Sequence, residues 1–324
     1  MCCHNLVVKD KHEFRSQDIE DCANSLEFFI PYYNSYNYLV ECLLSLASQD
    51  LPNFKVTIID DGSSDNRAGQ FIEEMQDSRF LYIRNSHNIG LPRNFQKCVE
   101  SATSDWVIIL GQDDVLPHDF VKSLFSHLGD LTVGFIQPRV EIIDSRGKIS
   151  KNSVDSIKSI IRKCMISNLR RKNHEETGKL RSASILPWFL IGNPFYFPTI
   201  VWNRARLQEF GFRQDLSVTL DYELIFRFLN NNSSVLFIED ATAYYRRHDA
   251  SASGKMSSML QRLEEEMRVT KSFKNDLINS SILINSILII RPTIRCHALV
   301  IAFLEMKSRN FRSSLRYASE AFKY

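Results

Sequence analysis

Four short apolar runs, over residues 26–30, 55–59, 80–83 and 106–110, alternate with stretches of helical period. Each run ends in a cluster of polar or acidic residues. The last of them, Trp106-Val-Ile-Ile-Leu110, has no polar alternation. Both of its faces must therefore be covered, as they are in the middle of a parallel sheet. Between the first two runs, Tyr38, Leu39, Cys42, Leu43 and Leu46 recur at the spacing of one helix face. Further helices are expected over 67–75 and from Pro92 to residue 101, then over 118–128, with an extended segment over 133–143. Strands and helices alternating through short connections imply right-handed crossovers. The expectation is an α/β fold with a mostly parallel central sheet and helices on both faces.

The pattern changes after residue 150. Residues 156–169 read as a basic helix carrying Ile157, Ile160, Ile161, Met165 and Leu169, and 170–181 as a charged loop. Aromatics crowd residues 186–202. Such a cluster is usually core, and a sugar-stacking surface at Trp188 is the second reading. A helix over 219–229 and a strand over 235–238 follow, and from Met256 the chain is helical by pattern, broken at Arg291-Pro292. The expected organisation is a polar lead-in over 1–25, one domain over 26–253 with halves at 26–125 and 126–253, and an α-helical C-terminal extension over 254–324.

Charge and composition narrow the functional classes. Forty Lys and Arg face 38 Asp and Glu, a formal charge of +2, which gives no reason to expect nucleic acid as a partner. The basic excess is local: eight Lys/Arg against three acids over 151–180, and seven against two over 291–324. The seven cysteines form no CxxC pair, as expected of reduced thiols in a cytoplasmic protein. No signal-peptide apolar region and no membrane-length apolar run is visible. The apolar and basic C-terminal helices suit a subdomain packed on the core. Their sharper alternative is peripheral contact with the inner face of an anionic membrane.

The chemistry must come from the strand ends, where open α/β sheets hold ligands. Neither Gly-x-Gly-x-x-Gly nor Gly-x-x-x-x-Gly-Lys-Ser/Thr follows the first strand. In their place stand Asn34, then Asp60 and Asp61, then Asn88 and Arg93, then Asp113 and Asp114. Acids converging on one sheet edge suit Mn²⁺ or Mg²⁺, which take one or two carboxylates together with substrate phosphates. Asp60 or Asp61 is alternatively placed to accept hydrogen bonds from a base or ribose. Standing alone, Asp60-Asp-Gly-Ser-Ser-Asp65 is an ordinary turn with a helix cap at Ser63 or Ser64.

Ile30-Pro-Tyr-Tyr-Asn34, Ile59-Asp-Asp-Gly-Ser-Ser-Asp65, Asn88-Ile-Gly90 with Arg93-Asn94, and Leu110-Gly-Gln-Asp-Asp114 resemble the successive motifs of family 2 glycosyltransferases. Gly192-Asn193 with Pro198-Thr199, Leu220-Asp-Tyr-Glu-Leu224 and Tyr245-Arg-Arg-His248 extend the likeness more weakly. The resemblance implies a GT-A fold and an inverting enzyme. Such an enzyme would move a sugar from a nucleoside-diphosphate donor to a saccharide or lipid-linked saccharide acceptor, in cell-surface polysaccharide biosynthesis. It implies Pro31, Tyr33, Asn34, Asp60, Asp61, Arg93 and Asp113 around the nucleotide sugar, and Asp113, Asp114 and His248 around the metal. It makes Asp221 the catalytic base and sets Gly192, Asn193 and Glu223 on the acceptor side, with Glu223 as reserve base; the stacking reading of the aromatic segment adds Trp188 to that side. Two positions depart from the pattern: Gly111 stands for the first acid of the metal motif, and Leu220 for an acid before the base. The first departure favours a catalytically inactive binding protein as the alternative. A nucleotidyltransferase is the other, although it would need a basic Gly-rich loop after the first strand.

Overall fold

The computed structural model describes residues 26–150, 153–173, 178–248 and 256–277. The expected lead-in and all of the chain after residue 277 lie outside them. The first half follows the anticipated alternation: β1 (Leu26–Tyr32), α1 (Tyr36–Ala47), β2 (Lys55–Asp60), α2 (Arg67–Met75), β3 (Phe80–Arg84), α3 (Leu91–Ser101), β4 (Trp106–Ile109) and α4 (Phe120–Phe125). The second half contains β5 (Val133–Ile143), α5 (Ser153–Asn173), β6 (Lys179–Arg181), α6 (Ser182–Ile191), β7 (Val201–Asn203), α7 (Arg204–Phe210), α8 (Leu220–Asn230), β8 (Ser234–Arg246) and α9 (Met256–Leu277).

All eight strands form one sheet in the order β3-β2-β1-β4-β7-β5-β8-β6. The pairs β1–β2, β1–β4, β2–β3 and β5–β8 are parallel, whereas β7 runs antiparallel to β4 and β5, and β6 to β8. Strand alternation feeds two cores. Phe28, Ile30, Trp106 and Ile108 pack on one face, and Phe29, Val107 and Ile109 on the other. Most of the aromatic segment joins the second core: Phe189, Phe195 and Trp202 are fully buried, and Phe135 makes ring contacts with Phe195, Trp202 and Phe228.

Several boundaries move. Pro31 does not stop the first strand. The Phe29 carbonyl accepts from Leu110 on the β4 side, so the missing N–H of Pro31, two residues on, faces a place where β4 has already ended. The charged loop over 170–181 is in part the last turn of α5 and in part β6. α6 runs through Pro187 inside the aromatic segment, and the three-residue β7 carries too short a pattern to be read locally. α2 starts at Arg67 after Asn66, so Ser63 and Ser64 belong to the preceding loop rather than to a cap. Among the described residues, no helix is long and apolar enough to cross a membrane.

Candidate active site

The carboxyl ends of β1 and β2 are stitched together. Asn34 takes a left-handed conformation, φ 55°, and its N–H donates to Ser63 Oγ at 3.0 Å while its Oδ1 accepts from the Ser64 N–H at 2.8 Å. Gly62 has φ +72°, and a Cβ there would lie 2.7 Å from the His87 carbonyl carbon, so the close approach of the two loops requires glycine. Asp60 is fully buried; one oxygen accepts from the Ser63 N–H at 2.8 Å and the other from the Tyr82 hydroxyl. Asp61 Oδ1 accepts from the Ile89 N–H and Asn85 Nδ2, and its Oδ2 accepts from the Gly90 N–H at 2.9 Å. Both acids thus hold the loops after β2 and β3, and each of their oxygens is already occupied by the protein. Tyr33 is 47% exposed, and its N–H donates to Gln112 Oε1. Arg93 is exposed on the first turn of α3 and forms no ion pair among the described residues.

The end of β4 meets the end of β8. Beyond Ala243, successive residues of β8 point to opposite sides, as a strand requires. Arg246 and His248 face the β4 acids. The Arg246 N–H donates to Asp114 Oδ1 at 2.9 Å, its Nε donates to the Asp113 carbonyl at 2.7 Å, and its Nη2 reaches Glu41. His248 Nε2 hydrogen-bonds Asp113 Oδ2 at 2.8 Å, and its ring lies 4.7 Å from that of Tyr38. Asp114 is buried, and among the described residues its Oδ2 has no hydrogen-bond partner. Burial, and then the neighbouring Asp113, hold its carboxyl well above the usual carboxylate range.

These groups fit a divalent cation. Carboxylate oxygens and an imidazole nitrogen are donors such an ion accepts, and a cation would replace the hydrogen bond that now joins Asp113 Oδ2 to His248 Nε2. The orphaned Asp114 oxygen behind them is the kind of group a cation relieves. Among the described residues no three His, Cys, Asp or Glu side chains form a cage, so the remaining ligands would be substrate oxygens. Gly111 takes on a different meaning here. A Cβ at that position would stand 2.5 Å from Asp114 Oδ2 and 3.0 Å from Asp113 Oδ1. The space a first acid would need is filled by the other two.

Tyr245 and Arg247 face the other way. Arg247 grips Asp155 of α5 with both Nε (3.0 Å) and Nη2 (2.9 Å), and Tyr196 donates to the same carboxylate. Lys158, one turn further along α5, places its ammonium 4.0 Å from the Tyr196 ring centre. Burial pushes that ammonium down to about 8, opposed by the attraction of Asp221. Asp221 occupies the first turn of α8. Its Oδ1 accepts from the Tyr222 N–H at 2.7 Å, and among the described residues no side chain donates to it. Burial raises its carboxyl above the ordinary range, and Arg262 and Lys158 act against that rise. The charges of Asp113, Asp114 and Asp221 all act on Tyr245, so the β4 acids and Asp221 lie within electrostatic range of one side chain.

The expected acceptor residues do not all gather there. Glu223 is a correction: it is buried, and both of its oxygens are taken by Arg227 Nε and Nη2 of the next helical turn, at 2.9 and 2.8 Å. It can serve neither as reserve base nor as a sugar contact while that pair holds. Trp188 lines a shallow depression with Lys163, Cys164, Ser167 and Asn168 on the outer side of α5 and α6. Asn193 Oδ1 accepts from the Phe195 N–H, and a Cβ at Gly192 would come within 2.8 Å of Ile161. The sequence reading missed Arg246, Lys158, Asp155 and Arg262. A two-residue period through Tyr245-Arg-Arg-His248 could have separated the first of these; the others lie on elements that carry no motif.

The glycosyl transferase family 2 model matches residues 27–185. The glycosyltransferase GlyG of Streptococcus pneumoniae is 23% identical over 224 residues, covering 68% of this chain and 70% of that protein. Among solved structures, residues 1–349 of Staphylococcus aureus TarS in complex with UDP-GlcNAc superpose with a TM-score of 0.57 at 14% identity, over 92% of both chains. The mannosyltransferase PcManGT of Pyrobaculum calidifontis, in complex with GDP-Man and Mn²⁺, gives 0.56 at 14% identity over 92% of this chain and 75% of that one. At such identities the superpositions establish the fold, which is GT-A.

Proposed function

The chain belongs to glycosyl transferase family 2, and from that premise we propose that it transfers a sugar from a nucleoside-diphosphate donor to an acceptor hydroxyl with inversion at the anomeric carbon. The acceptor is a saccharide or lipid-linked saccharide, and the setting is cell-surface polysaccharide synthesis on the cytoplasmic side of a membrane. The observation that carries this reading is the end of β4, where Asp113 pairs with His248 of the β8 end beside the unpartnered oxygen of Asp114, with Asp221 acting electrostatically on the neighbouring Tyr245.

In this reading Pro31, Tyr33 and Asn34 border the nucleoside, while Asp60 and Asp61 act on it through the loops they hold. Arg93, which has no carboxylate partner among the described residues, meets the diphosphate or the sugar. Asp113, His248 and the unpartnered oxygen of Asp114 would hold Mn²⁺ or Mg²⁺ together with the diphosphate, and the chemistry supplied there would be neutralisation of the charge developing on the leaving group. Asp221 takes the proton of the acceptor hydroxyl as attack proceeds. Its position in the first turn of α8, where the amide dipoles favour a negative charge, keeps an ionised carboxylate available despite burial. A single base opposite the leaving group gives one displacement, hence inversion. Gly192, Asn193 and Trp188 form the outer acceptor side. The binding-only alternative rests on Gly111; the closeness of Asp113 and Asp114 to the place of a side chain there supports the reading in which these two acids suffice.

Two measurements test this reading. The first is a thermal-shift panel of nucleoside diphosphates and their sugars with Mn²⁺, in which one nucleotide must raise Tm. The second is transfer or donor hydrolysis by the purified chain, with and without Mn²⁺. Asp113→Ala is expected to abolish the Mn²⁺-dependent part of nucleotide binding. Retained Mn²⁺ dependence in that variant would remove the cation from this site.

A further inference from the structure

α9 carries no recognised motif, yet one of its side chains reaches the start of the helix that bears Asp221. Glu265 is 1% exposed. Its Oε1 accepts from the Ser217 N–H at 2.9 Å, and its Oε2 accepts from the Val218 and Thr219 N–H groups at 2.8 and 2.9 Å and from the Thr219 hydroxyl at 3.1 Å. Three consecutive amides and a hydroxyl are thus gathered by one carboxylate 46 to 48 residues away in sequence. Helix starts leave such donors unsatisfied, and the Thr219 side chain accepts nothing from its own helix. A carboxylate is the strongest acceptor available for them, and its charge suits the helix dipole. Val269 and Phe273 of the same helix are buried in the core, where Phe273 stacks on Phe226 and meets Tyr222, the neighbour of Asp221. Arg262, one turn before Glu265, acts electrostatically on Asp221.

We infer that Glu265 of α9 is a positioning residue that fixes the turn carrying Asp221, the rest of the helix serving to pack it in place; the inference rests on Asp221 being the base. Asp221 is two residues beyond the last amide that Glu265 holds. A loosened turn would displace the carboxylate from the acceptor hydroxyl, and a misplacement of about 1 Å can cost about a hundredfold in rate. Donor binding belongs to the ends of β1, β2 and β4, which α9 does not touch through this contact.

The test compares Glu265→Gln and Glu265→Asp with Val269→Ala in the full chain. Val269→Ala weakens the packing of the same helix while leaving the carboxylate in place. Glu265→Gln is expected to lower kcat about ten- to hundredfold, with nucleotide affinity unchanged and a smaller loss for Glu265→Asp. Val269→Ala lowers Tm with kcat within about twofold. In an Asp221→Asn background, Glu265→Gln should produce little further loss, because both substitutions act through one group. A kcat loss no larger than that of Val269→Ala at equal loss of Tm would reduce Glu265 to a structural role. Full additivity with Asp221→Asn would place its action elsewhere. If Glu265→Gln does not fold, Glu265→Asp carries the same comparison. Undiminished turnover in Asp221→Asn alone would defeat the assignment of the base, whatever Glu265 does.

Discussion

The loops after β2 and β3 and the cleft between β4, β8 and α8 are both built from buried polar groups, but they are built on opposite principles. In the loops, Asp60, Asp61, Asn85 and Asn94 satisfy one another and the surrounding amides; Asn85 alone bridges Asp61, Asn94 and Lys97. Around β4, β8 and α8, Asp114 Oδ2 has no hydrogen-bond partner among the described residues, Lys158 lies over an aromatic ring, and Asp221 and Asp114 are held protonated to higher pH than free carboxylates. A saturated network is rigid and selects one loop geometry. An unsaturated one stores the potential to bind or move charge. In the proposed function the first region is the mould for the donor, and the second is where the reaction is expected.

The sharpest way to break this contrast is at Asp221. If the cleft performs the chemistry, Asp221→Asn lowers kcat by about 10²- to 10⁴-fold, with nucleotide affinity retained. The acid limb of kcat/KM in the unsubstituted protein should lie above the ordinary carboxylate range, because a base must be ionised and burial raises this one. Activity is then lost as pH falls through that raised value. A limb at an ordinary carboxylate pKa, or none, would show that a different group accepts the proton.

The two regions also differ in how far they could be read from sequence. The loop frame was legible because its residues are contiguous: Asp60-Asp61-Gly62-Ser63 contains its own turn logic, and Gly62 is demanded by a left-handed φ and the nearby His87 backbone. The cleft was legible only where a motif fell on it, as at Asp113, Asp221 and His248. Lys158, Asp155 and Arg262 lie on amphipathic helices, where a charged residue reads as solvated surface. Nothing local distinguishes Glu265 from Glu264 and Glu266 beside it; its partners are brought to it by tertiary packing alone. Glu223 misled for the complementary reason, since an acid near the start of a helix looks available until Arg227, one turn on, is seen to hold it.

Gly111 sharpens the comparison at the junction of the two regions. Gly111→Asp would restore the acid that the family pattern contains. A gain in Mn²⁺ affinity would be natural if the site were merely one ligand short. The packing argues the reverse: the new side chain meets Asp114 Oδ2, whose partner oxygen is tied to the Arg246 N–H. Overpacking of about 1–3 kcal/mol is expected, compounded by a third negative charge, so both Tm and Mn²⁺-dependent nucleotide binding should fall. A stabilised variant with tighter Mn²⁺ binding would contradict the geometry.

Glu223→Gln asks whether α8 contains one functional acid or two. Gln keeps a hydrogen bond to Arg227 but removes the charge, leaving a cation that still reaches the Phe210 and Gly211 carbonyls. A loss of about 1–3 kcal/mol in stability is expected, with kcat and the acceptor KM unchanged. A selective rise in acceptor KM at unaltered stability would return Glu223 to the acceptor side.

The smallest effect concerns what the raised pKa of Asp221 does to stability. Its carboxyl is raised by burial in the folded chain relative to an unfolded one, so the folded state binds the proton more tightly. That linkage favours folding below the unfolded carboxylate pKa, and the advantage is lost as pH rises through the folded value. Asn carries no such penalty at any pH. Asp221→Asn should therefore be more stable than the unsubstituted protein near pH 8, and the difference should shrink toward zero as urea unfolding is repeated down to about pH 4, near the ordinary carboxylate pKa. The satisfied acids of the loop frame predict the opposite sign. Asp61→Asn removes an acceptor that three donors share and should destabilise at pH 8. A cleft acid that stabilises when neutralised, beside a loop acid that destabilises, is the energetic form of the contrast; equal signs at the two positions would erase it.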